Sequence, residues 1–290
     1  MKPKGIFVGL STIDIIYAVS ELPAPNKKIA AQSQQILVGG PATNAAITFA
    51  FLGGSATVVT PVGSHPLASV IGQECKLFGI DLVDLASDTQ QPPPISSVWV
   101  DAEGRRSIVS ANTAGRTVPT EVVDPARLSG AAVVMLDGHG MQACQAWAEA
   151  ARAAGICVVL DGGSWKPGTE ALLRNVDVAI CSADFIPPAC RTERDVIAYL
   201  QAAGVQKVAI THGADPIRFI SKTGSGSIEI PKIEATDTTG AGDILHGAFC
   251  FYQAIGCEFD QALQKAAIIA SESCRYRGTR QWMHNHRDHS

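Results

Sequence analysis

The sequence predicts an α/β fold in which helices flank a mostly parallel, doubly wound sheet. Short runs rich in Val and Ile recur along the chain, and most are apolar at consecutive rather than alternating positions. Such runs are typical of strands that are buried on both faces of a parallel sheet. Segments with helical character separate them. This alternation of strand and helix indicates parallel strands joined by crossover helices.

The predicted elements follow this alternation in chain order. Buried strands are expected at residues 5–10, 56–62, 132–136, 156–160, 176–181 and 208–211. Helices are expected at residues 42–52, 141–154, 194–203, 244–255 and 260–276. Three of these helices are followed by glycine (Gly155, Gly204, Gly256), the residue that commonly forms a C-terminal cap. We find no repeat or linker, so residues 1–290 are expected to form a single domain.

Two segments depart from the pattern and predict a small antiparallel flap. Residues 29–38 have the composition of a half-exposed strand, and residues 95–110 that of a hairpin with Gly104 in its turn. The lid is therefore expected to comprise residues of about 14–38 and 92–113. Such a flap covers a substrate site or provides a dimer surface. An ordinary surface hairpin is the alternative.

Composition excludes several classes of function. The chain has 290 residues, of which 46% are hydrophobic and 17% charged, and a net charge of −4. This charge does not favour binding to nucleic acid or to an anionic membrane. The run at residues 6–16 resembles part of a secretory signal, but Asp14 interrupts it, and a buried strand is the preferred interpretation.

Cysteine usage and the two ends of the chain add further expectations. The eight cysteines include no CxxC pair and several lie in apolar runs, which favours a reducing, cytoplasmic location. No run reaches the ~18 apolar residues of a membrane span. The polar residues 281–290 are expected to form a mobile tail.

The strongest chemical signal is the motif Asp-Thr-Thr-Gly-Ala-Gly-Asp at residues 237–243, directly before a predicted helix. The first N–H groups of a helix have no internal partner, and the helix dipole favours an anion beside them. Gly240, Ala241 and Gly242 are therefore predicted to form an anion hole. The carboxylate of Asp243 would accept a proton there. The alternative is an ordinary Gly-rich turn with a common N-terminal Asp. No Gly-Lys-Ser/Thr follows, so the motif is not a Walker A loop.

Two weaker signals lie near the N-terminus. Gly39 and Gly40 precede a predicted helix and would allow a ligand close to the backbone, while Asn44 offers a donor and an acceptor to a polyol. Asp14 ends the first apolar run, where a carboxylate is well placed to bind paired hydroxyls. Helix-cap or turn roles for Asn44 and Asp14 are the alternatives.

These motifs together resemble the two signatures of the PfkB carbohydrate kinases, and the resemblance extends over about residues 5–280. It implies a ribokinase-like fold with a β-flap lid, and an ATP-dependent sugar kinase. By the same resemblance, Asp243 is the catalytic base and residues 240–242 form the anion hole. Asp14, Gly40 and Asn44 would hold the sugar. Gly39 is added to these expected substrate-binding residues because it is adjacent to Gly40.

The resemblance also implies the cofactors and their contacts. ATP is expected with Mg²⁺, and K⁺ at a site that includes Asp237. The residues expected to contact the nucleotide are Thr211, Gly213, Thr238, Gly240, Gly242 and Cys274. Arg106 and Asn112 match substrate positions on the lid of the ketohexokinase-like branch. A homodimer through the flap is a further expectation.

Two departures from the family pattern leave alternatives open. Many members carry Asn-x-x-Glu, whereas residues 181–185 here lack the Glu, and Asp184 stands one position away. Pro41 occupies a position at which related ketose kinases carry a polar residue. A nucleoside kinase of the same fold would turn over adenosine or a similar nucleoside. A degenerate, non-catalytic binding protein would bind ATP without turnover.

Overall fold

The computed structural model describes residues 2–103, 105–111 and 123–286. In chain order its elements are β1 (Lys4–Val8), β2 (Thr12–Ala18), β3 (Ser33–Gly39), α1 (Pro41–Phe51), β4 (Ser55–Thr60), α2 (Ala68–Leu77), β5 (Asp81–Asp84), β6 (Ile95–Val100), β7 (Arg106–Ser110), α3 (Pro125–Leu128), β8 (Ala131–Leu136), α4 (Met141–Ala153), β9 (Cys157–Gly162), α5 (Thr169–Leu173), β10 (Val178–Ser182), α6 (Glu193–Ala202), β11 (Lys207–His212), β12 (Asp215–Ser221), β13 (Gly224–Ile228), α7 (Ala241–Ala254), α8 (Phe259–Ser273) and α9 (Gln281–His286).

A large sheet forms the centre of the molecule, in the order β13-β12-β11-β10-β9-β8-β1-β4-β5. The strands from β11 to β5 are parallel, and β12 and β13 add an antiparallel hairpin at one edge. Buried apolar side chains cover both faces of the sheet. The predicted, mostly parallel α/β sheet is therefore confirmed. The edge hairpin was not predicted because β13, with the sequence GSGSI, has no apolar run.

The order of the strands creates a crevice beside β1. From β1 the chain builds β4 and β5 on one side, and then β8 to β11 on the other. At such a switch point the connections leave neighbouring carboxyl ends in opposite directions, and ligands of open α/β sheets bind in the resulting gap. β1 and β8 are the strands on either side of this gap.

A separate small sheet has the order β3-β2-β6-β7, which confirms the predicted flap. Its two outer pairs are antiparallel as predicted, whereas the central strands β2 and β6 run parallel. Asp14 lies within β2, opposite Leu37 of β3, rather than at the end of β1 as predicted. The apolar run at residues 6–16 is continuous in sequence, but the chain leaves the large sheet after β1 and starts a second strand at Thr12. Gly104, in the predicted turn, lies outside the described residues.

Two helices bring distant parts of the chain together. α1 begins with Pro41, a residue that suits the first turn because its missing N–H would have no partner there. α7 begins at Ala241, three residues before the predicted start. A Cβ atom on Gly247 of α7 would collide with the carbonyl oxygen of Ala45 in α1, so only glycine permits this approach. The close packing places Asn44 beside the N-terminus of α7.

The C-terminal segment differs from the expected mobile tail over residues 281–286. These residues form α9, and the side chain of Trp282 is fully buried. Its indole N–H donates to the carbonyl of Thr279, and its ring packs edge-on against Phe51 at a centroid distance of 5.0 Å. Trp282, together with the buried Met283, thus anchors a segment whose other residues are polar.

Within the described part of the chain, none of the helices has the length and hydropathy of a membrane-spanning segment. All eight cysteines are free.

Candidate active site

Asp243 lies in the first turn of α7, partly buried and facing α1. Its Oδ2 accepts a hydrogen bond of 2.7 Å from Nδ2 of Asn44. Burial raises the pKa of Asp243 to about 7, and the charge of Asp161 contributes in the same direction. The Asn44 hydrogen bond and His246 lower it. A carboxylate that titrates near neutral pH suits proton transfer at physiological pH.

The backbone beside Asp243 presents hydrogen-bond donors. Gly240 is the N-cap of α7 with φ of 70°, a left-handed conformation that glycine adopts without strain. The N–H of Ala241 makes a long bond of 3.3 Å to the Thr238 carbonyl. The structure shows no hydrogen bond from the N–H groups of Gly242 or Asp243 to any other described residue. Together with the helix dipole, these donors form an anion-binding site.

Asp14 and the two glycines of the N-terminal motif lie together. Thr12 Oγ1 donates to Oδ1 of Asp14 at 2.8 Å. Burial raises the pKa of Asp14, while hydrogen bonds from Thr12 and Ser96 oppose the shift. A Cβ atom on Gly39 would strike the Asp14 carboxylate, and one on Gly40, whose φ is 91°, would strike the Leu10 carbonyl. At both positions glycine is therefore required by contacts within the protein itself. The sequence had indicated only that the glycines allow a ligand close to the backbone.

Asn44 is buried and its amide has two protein partners. Nδ2 donates to Asp243, and Oδ1 accepts from Nη1 of Arg280 at 2.9 Å. The sequence suggested that donor and acceptor would both be available to a polyol. One N–H and one oxygen lone pair remain for a ligand.

Arg280 was missed by the sequence analysis. It stands in a polar stretch without a recognisable motif, and nothing in that stretch indicates that it meets Asn44, which lies 236 residues earlier. Its guanidinium also bonds Glu74 at 3.0 Å and the Val38 carbonyl at 3.0 Å. Desolvation lowers the pKa of Arg280, and Glu74 opposes that shift.

Asp137, also missed, lies in the gap at the end of β8. Its Oδ2 accepts from the N–H groups of Leu10 at 2.8 Å and Ala42 at 3.3 Å, and its Oδ1 from that of His139 at 2.8 Å. This carboxylate therefore joins the segments that follow β1, β3 and β8. A carboxylate directly after a buried strand was the available signal.

Asp161, at the end of β9, is a second buried carboxylate that the sequence analysis missed. Burial raises its pKa, and the charge of His246 lowers it. Nδ1 of His246 lies 3.6 Å from Oδ2 of Asp161. The same ring nitrogen is 2.7 Å from the Gly242 carbonyl, and Nε2 is 3.1 Å from the Ile180 carbonyl. The imidazole thus links the start of α7 to β9 and β10.

A largely apolar cleft of about 590 Å³ opens on the other side of the α7 N-terminus. Its size is within the range of small-molecule sites. The predicted nucleotide contacts that line it are Thr211, Gly213, Thr238, Gly242 and Cys274. Its apolar wall includes Ile217, Ile230, Ile233 and Leu245. Gly240 is not part of the lining and lies instead toward Asn44, whose Nδ2 would be 3.6 Å from a Cβ at this position.

Asp237 closes the loop before α7. Its Oδ1 accepts from the N–H and the hydroxyl of Thr239, at 2.9 and 2.7 Å, and its Oδ2 from the N–H of Gly278 at 2.9 Å. The carboxylate thus holds together two segments that border the cleft. Arg106 lies in β7, and Asn112 is outside the described residues.

Two carboxylates near this edge of the sheet are of the ligand type that Mg²⁺ takes, although the described residues contain no group of three or more side chains that could hold a metal alone. Mg²⁺ prefers oxygen ligands and commonly binds through one or two carboxylates together with phosphates and water. Asp161 is the second-last residue of β9, and Asp184 follows β10. The hydroxyl of Ser182 accepts from the N–H of Asp184 and donates to the Gly163 carbonyl, which ties the two loops together.

Comparison with known proteins gives matches along nearly the whole chain. A family model for "pfkB family carbohydrate kinase" matches residues 3–285. The ribokinase of Staphylococcus aureus (strain COL) is 26% identical over 260 residues, which cover 86% of each chain. The structure of ribokinase from Thermotoga maritima superimposes with a TM-score of 0.83 at 20% identity and covers 99% of this chain and 100% of that one.

A further solved structure is that of Arabidopsis thaliana ribokinase complexed with ribose and ATP. It superimposes with a TM-score of 0.80 at 24% identity, and the match covers 96% of this chain and 94% of that one. These similarities confirm the ribokinase-like fold.

Proposed function

The chain belongs to the pfkB family of carbohydrate kinases, and from this membership we propose that Asp243 is the base with which it transfers the γ-phosphoryl group of ATP to a sugar hydroxyl. The observation that carries the proposal is the position of Asp243. Its carboxylate accepts a hydrogen bond from the amide of Asn44, and it belongs to the first turn of α7, where the N–H groups of Gly242 and Asp243 bond no other described residue.

The proton moves from the attacking hydroxyl to the Asp243 carboxylate. With a pKa of about 7, the carboxylate is largely ionised at slightly alkaline pH, yet basic enough to accept the proton. The Asn44 hydrogen bond fixes one carboxylate oxygen. The other accepts no hydrogen bond from another described residue and would face the sugar. The geometry therefore supports general base catalysis.

The N-terminus of α7 stabilises charge on the transferred phosphoryl group. Phosphoryl transfer passes through a transition state in which the charge is spread over the equatorial oxygens, so positioned donors contribute most of the catalysis. The N–H groups of Gly242 and Asp243 are such donors, and Gly242 also lines the apolar cleft. We therefore assign the cleft to ATP, with Thr211, Gly213, Thr238 and Cys274 around the nucleoside.

Two cations complete the proposal. When bound, Mg²⁺ neutralises charge on the ATP phosphates, and Asp161 and Asp184 would hold it. K⁺ would bind near Asp237, where the carboxylate already orders the loop that leads into α7.

The sugar is proposed to bind in the crevice beside β1, under the small sheet. Asp14, with Gly39 packed against it, and Asn44 are the polar groups on this side. Arg106 and Asn112 remain substrate contacts predicted on the lid. Arg105 is engaged with Asp101 at 2.7 Å and Glu103 at 3.1 Å, so we favour an uncharged sugar over a phosphosugar.

The test is ATP consumption at pH 7.5 with Mg²⁺ and K⁺ against a panel of sugars, sugar phosphates and nucleosides. Asp243→Asn is isosteric and cannot act as a base. It is expected to keep the fold and bind ATP, and to lower kcat by ~10²–10⁴-fold.

The control is Asp260→Asn, the same change at an exposed position in the first turn of α8. Parental activity in Asp243→Asn would refute the assignment of the base. Turnover of nucleosides alone would show the alternative, a nucleoside kinase. ATP binding without turnover of any compound would show a binding protein.

A further inference from the structure

Arg280 occupies an unusual position for a cation, directly behind the proposed catalytic base. Its side chain is only 14% exposed. It follows Thr279, whose hydroxyl accepts from Nη1 at 2.7 Å, and it lies against the ring of Phe78 at 5.8 Å. No motif covers this residue, and the mechanism above does not use it.

The guanidinium determines which way the Asn44 amide points. An amide can present either its oxygen or its nitrogen to a neighbour, and the hydrogen-bond network decides between them. Arginine has only donors, so Nη1 requires Oδ1 of Asn44 on its side, at 2.9 Å. Nδ2 must then face Asp243, where it donates at 2.7 Å. The reversed amide would set an oxygen against a carboxylate oxygen.

The guanidinium is itself held in place on the opposite side. Nε donates to Glu74 of α2 at 3.0 Å, and Nη2 to the Val38 carbonyl of β3 at 3.0 Å. A lysine could not make these contacts together, because its ammonium group is a single point of charge without a planar fork. The chain of contacts runs from Glu74 through Arg280 and Asn44 to Asp243.

We propose that Arg280 is a positioning residue for catalysis, which orients Asp243 through the amide of Asn44. This inference rests on the proposed function of Asp243. If Arg280 served only to stabilise the core through its ion pair, its replacement would leave the pKa of Asp243 unchanged. A positioning role predicts that this pKa changes.

The test combines Arg280→Lys with Asn44→Ala in a double-mutant cycle. Arg280→Lys is expected to lower kcat about 10- to 100-fold, because small displacements of a reacting group cost that much. The KM for ATP should stay within about twofold, since Arg280 does not line the nucleotide cleft. In the Asn44→Ala background, Arg280→Lys should have no further effect on kcat, because the group through which it acts is absent.

The pH profile is the second readout. The Asn44 hydrogen bond lowers the pKa of Asp243, so its loss should move the acidic limb of kcat/KM to higher pH in Arg280→Lys. Titration of the Asp243 carboxyl carbon by ¹³C NMR, assigned against Asp243→Asn, measures the same pKa without turnover. It therefore separates failure of this inference from failure of the proposed function.

The matched control is Arg127→Lys, which alters a partly exposed ion pair with Asp81. The Arg127 carbonyl accepts from Lys4, the first residue of β1, so this pair lies at the end of the sheet opposite the site. It should keep the parental kcat and pH profile. If Arg280→Lys does not fold, Glu74→Gln replaces it, with a smaller shift in the same direction. The inference would be overturned if either variant kept the parental kcat and the parental pKa of Asp243. It would also be overturned if the losses in kcat from Arg280→Lys and Asn44→Ala multiplied in the double variant.

Discussion

Asp243 must remain basic near neutral pH although its environment disfavours its charge. Burial and the neighbouring Asp161 raise its pKa to about 7, while Asn44 and His246 act against them. The charge of a single neighbour is therefore expected to change the pH at which the base is active. The balance suits a base that must release its proton again at the end of each turnover.

Asp161→Asn tests this balance. Removing the negative charge should lower the pKa of Asp243, because Asp161 is the largest charge contribution that raises it. The acidic limb of kcat/KM, expected near pH 7 in the parent, should move to lower pH. Because Asp161 is also a proposed Mg²⁺ ligand, the profile is measured at saturating Mg²⁺. An unchanged limb would contradict the proposed coupling.

Asp243→Asn should also change stability in a pH-dependent way. The folded pKa of Asp243 is about 7, against 3.8 in the unfolded chain, so the parent loses free energy of unfolding as pH rises between these values. Asparagine does not titrate, so the variant does not lose stability in this way as pH rises. It should be more stable than the parent at pH 8, by up to about 4 kcal/mol because each unit of pKa shift corresponds to about 1.4 kcal/mol, and the difference should vanish near pH 4. Urea unfolding at both values measures it, and an equal difference at both would exclude this origin.

At the level of residues, motifs revealed only part of the site. Asp243 and the glycines before it stand in a local pattern whose chemistry follows from a helix N-terminus. Arg280 and Asp137 act through contacts with residues 236 and 127 positions away, respectively, and no local pattern encodes such pairs. Asp14 was found for a wrong reason, since it lies within β2 and not at the end of β1.

At the level of elements, the packing of α1 on α7 sets the distance between Asn44 and Asp243. Gly247→Ala would place a methyl group against the Ala45 carbonyl and separate the two helices. We expect a loss of about 1–3 kcal/mol in the free energy of unfolding, and a lower kcat.

Gly72→Ala is the matched control for this change. Gly72 lies in α2, and a Cβ atom added to it would have no neighbouring atom within 4 Å, so alanine should stabilise that helix by up to about 1 kcal/mol. Thermal unfolding and kcat of both variants measure the contrast. Equal changes in stability in the two variants would show that the close contact between α1 and α7 does not require glycine at position 247.

The helices and buried strands were predictable because their apolar residues form local patterns, which are continuous runs in the strands and longer helical segments between them. α1, α4, α6 and α8 start within one residue of their predicted positions. α9 was missed because only two of its side chains, Trp282 and Met283, are buried, which is too few to form a periodic pattern. The β13 strand was missed because it is polar and glycine-rich, and it lies at the edge of the sheet beside β12.

At the level of the whole molecule, the small sheet carries exposed apolar side chains. Ile36, Ile108 and Val109 are 56%, 58% and 70% exposed, which favours the predicted homodimer through the flap. The parent is expected to sediment as a dimer. Ile108→Lys should shift the protein toward the monomer. Leu77→Lys, the same replacement of an exposed aliphatic side chain by a charged one in α2, should not. A monomeric parent would refute the predicted dimer.

The fold class followed from the alternation of strands and helices, but the strand order did not. The alternation is local, whereas the place of β1 between β4 and β8 depends on contacts across the whole chain. The crevice therefore became visible only in the structure.

The central place of β1 has a consequence for synthesis of the protein. β1 leaves the ribosome well before its partner β8, which begins only at Ala131, so the pairing of these two central strands must wait until the chain between them has been made. Asp243 joins Asn44 later still, and Arg280 is made after Asp243. The site is therefore assembled only once Arg280 has been made, and a nascent chain that lacks Arg280 or the base itself has no assembled centre with which to consume ATP.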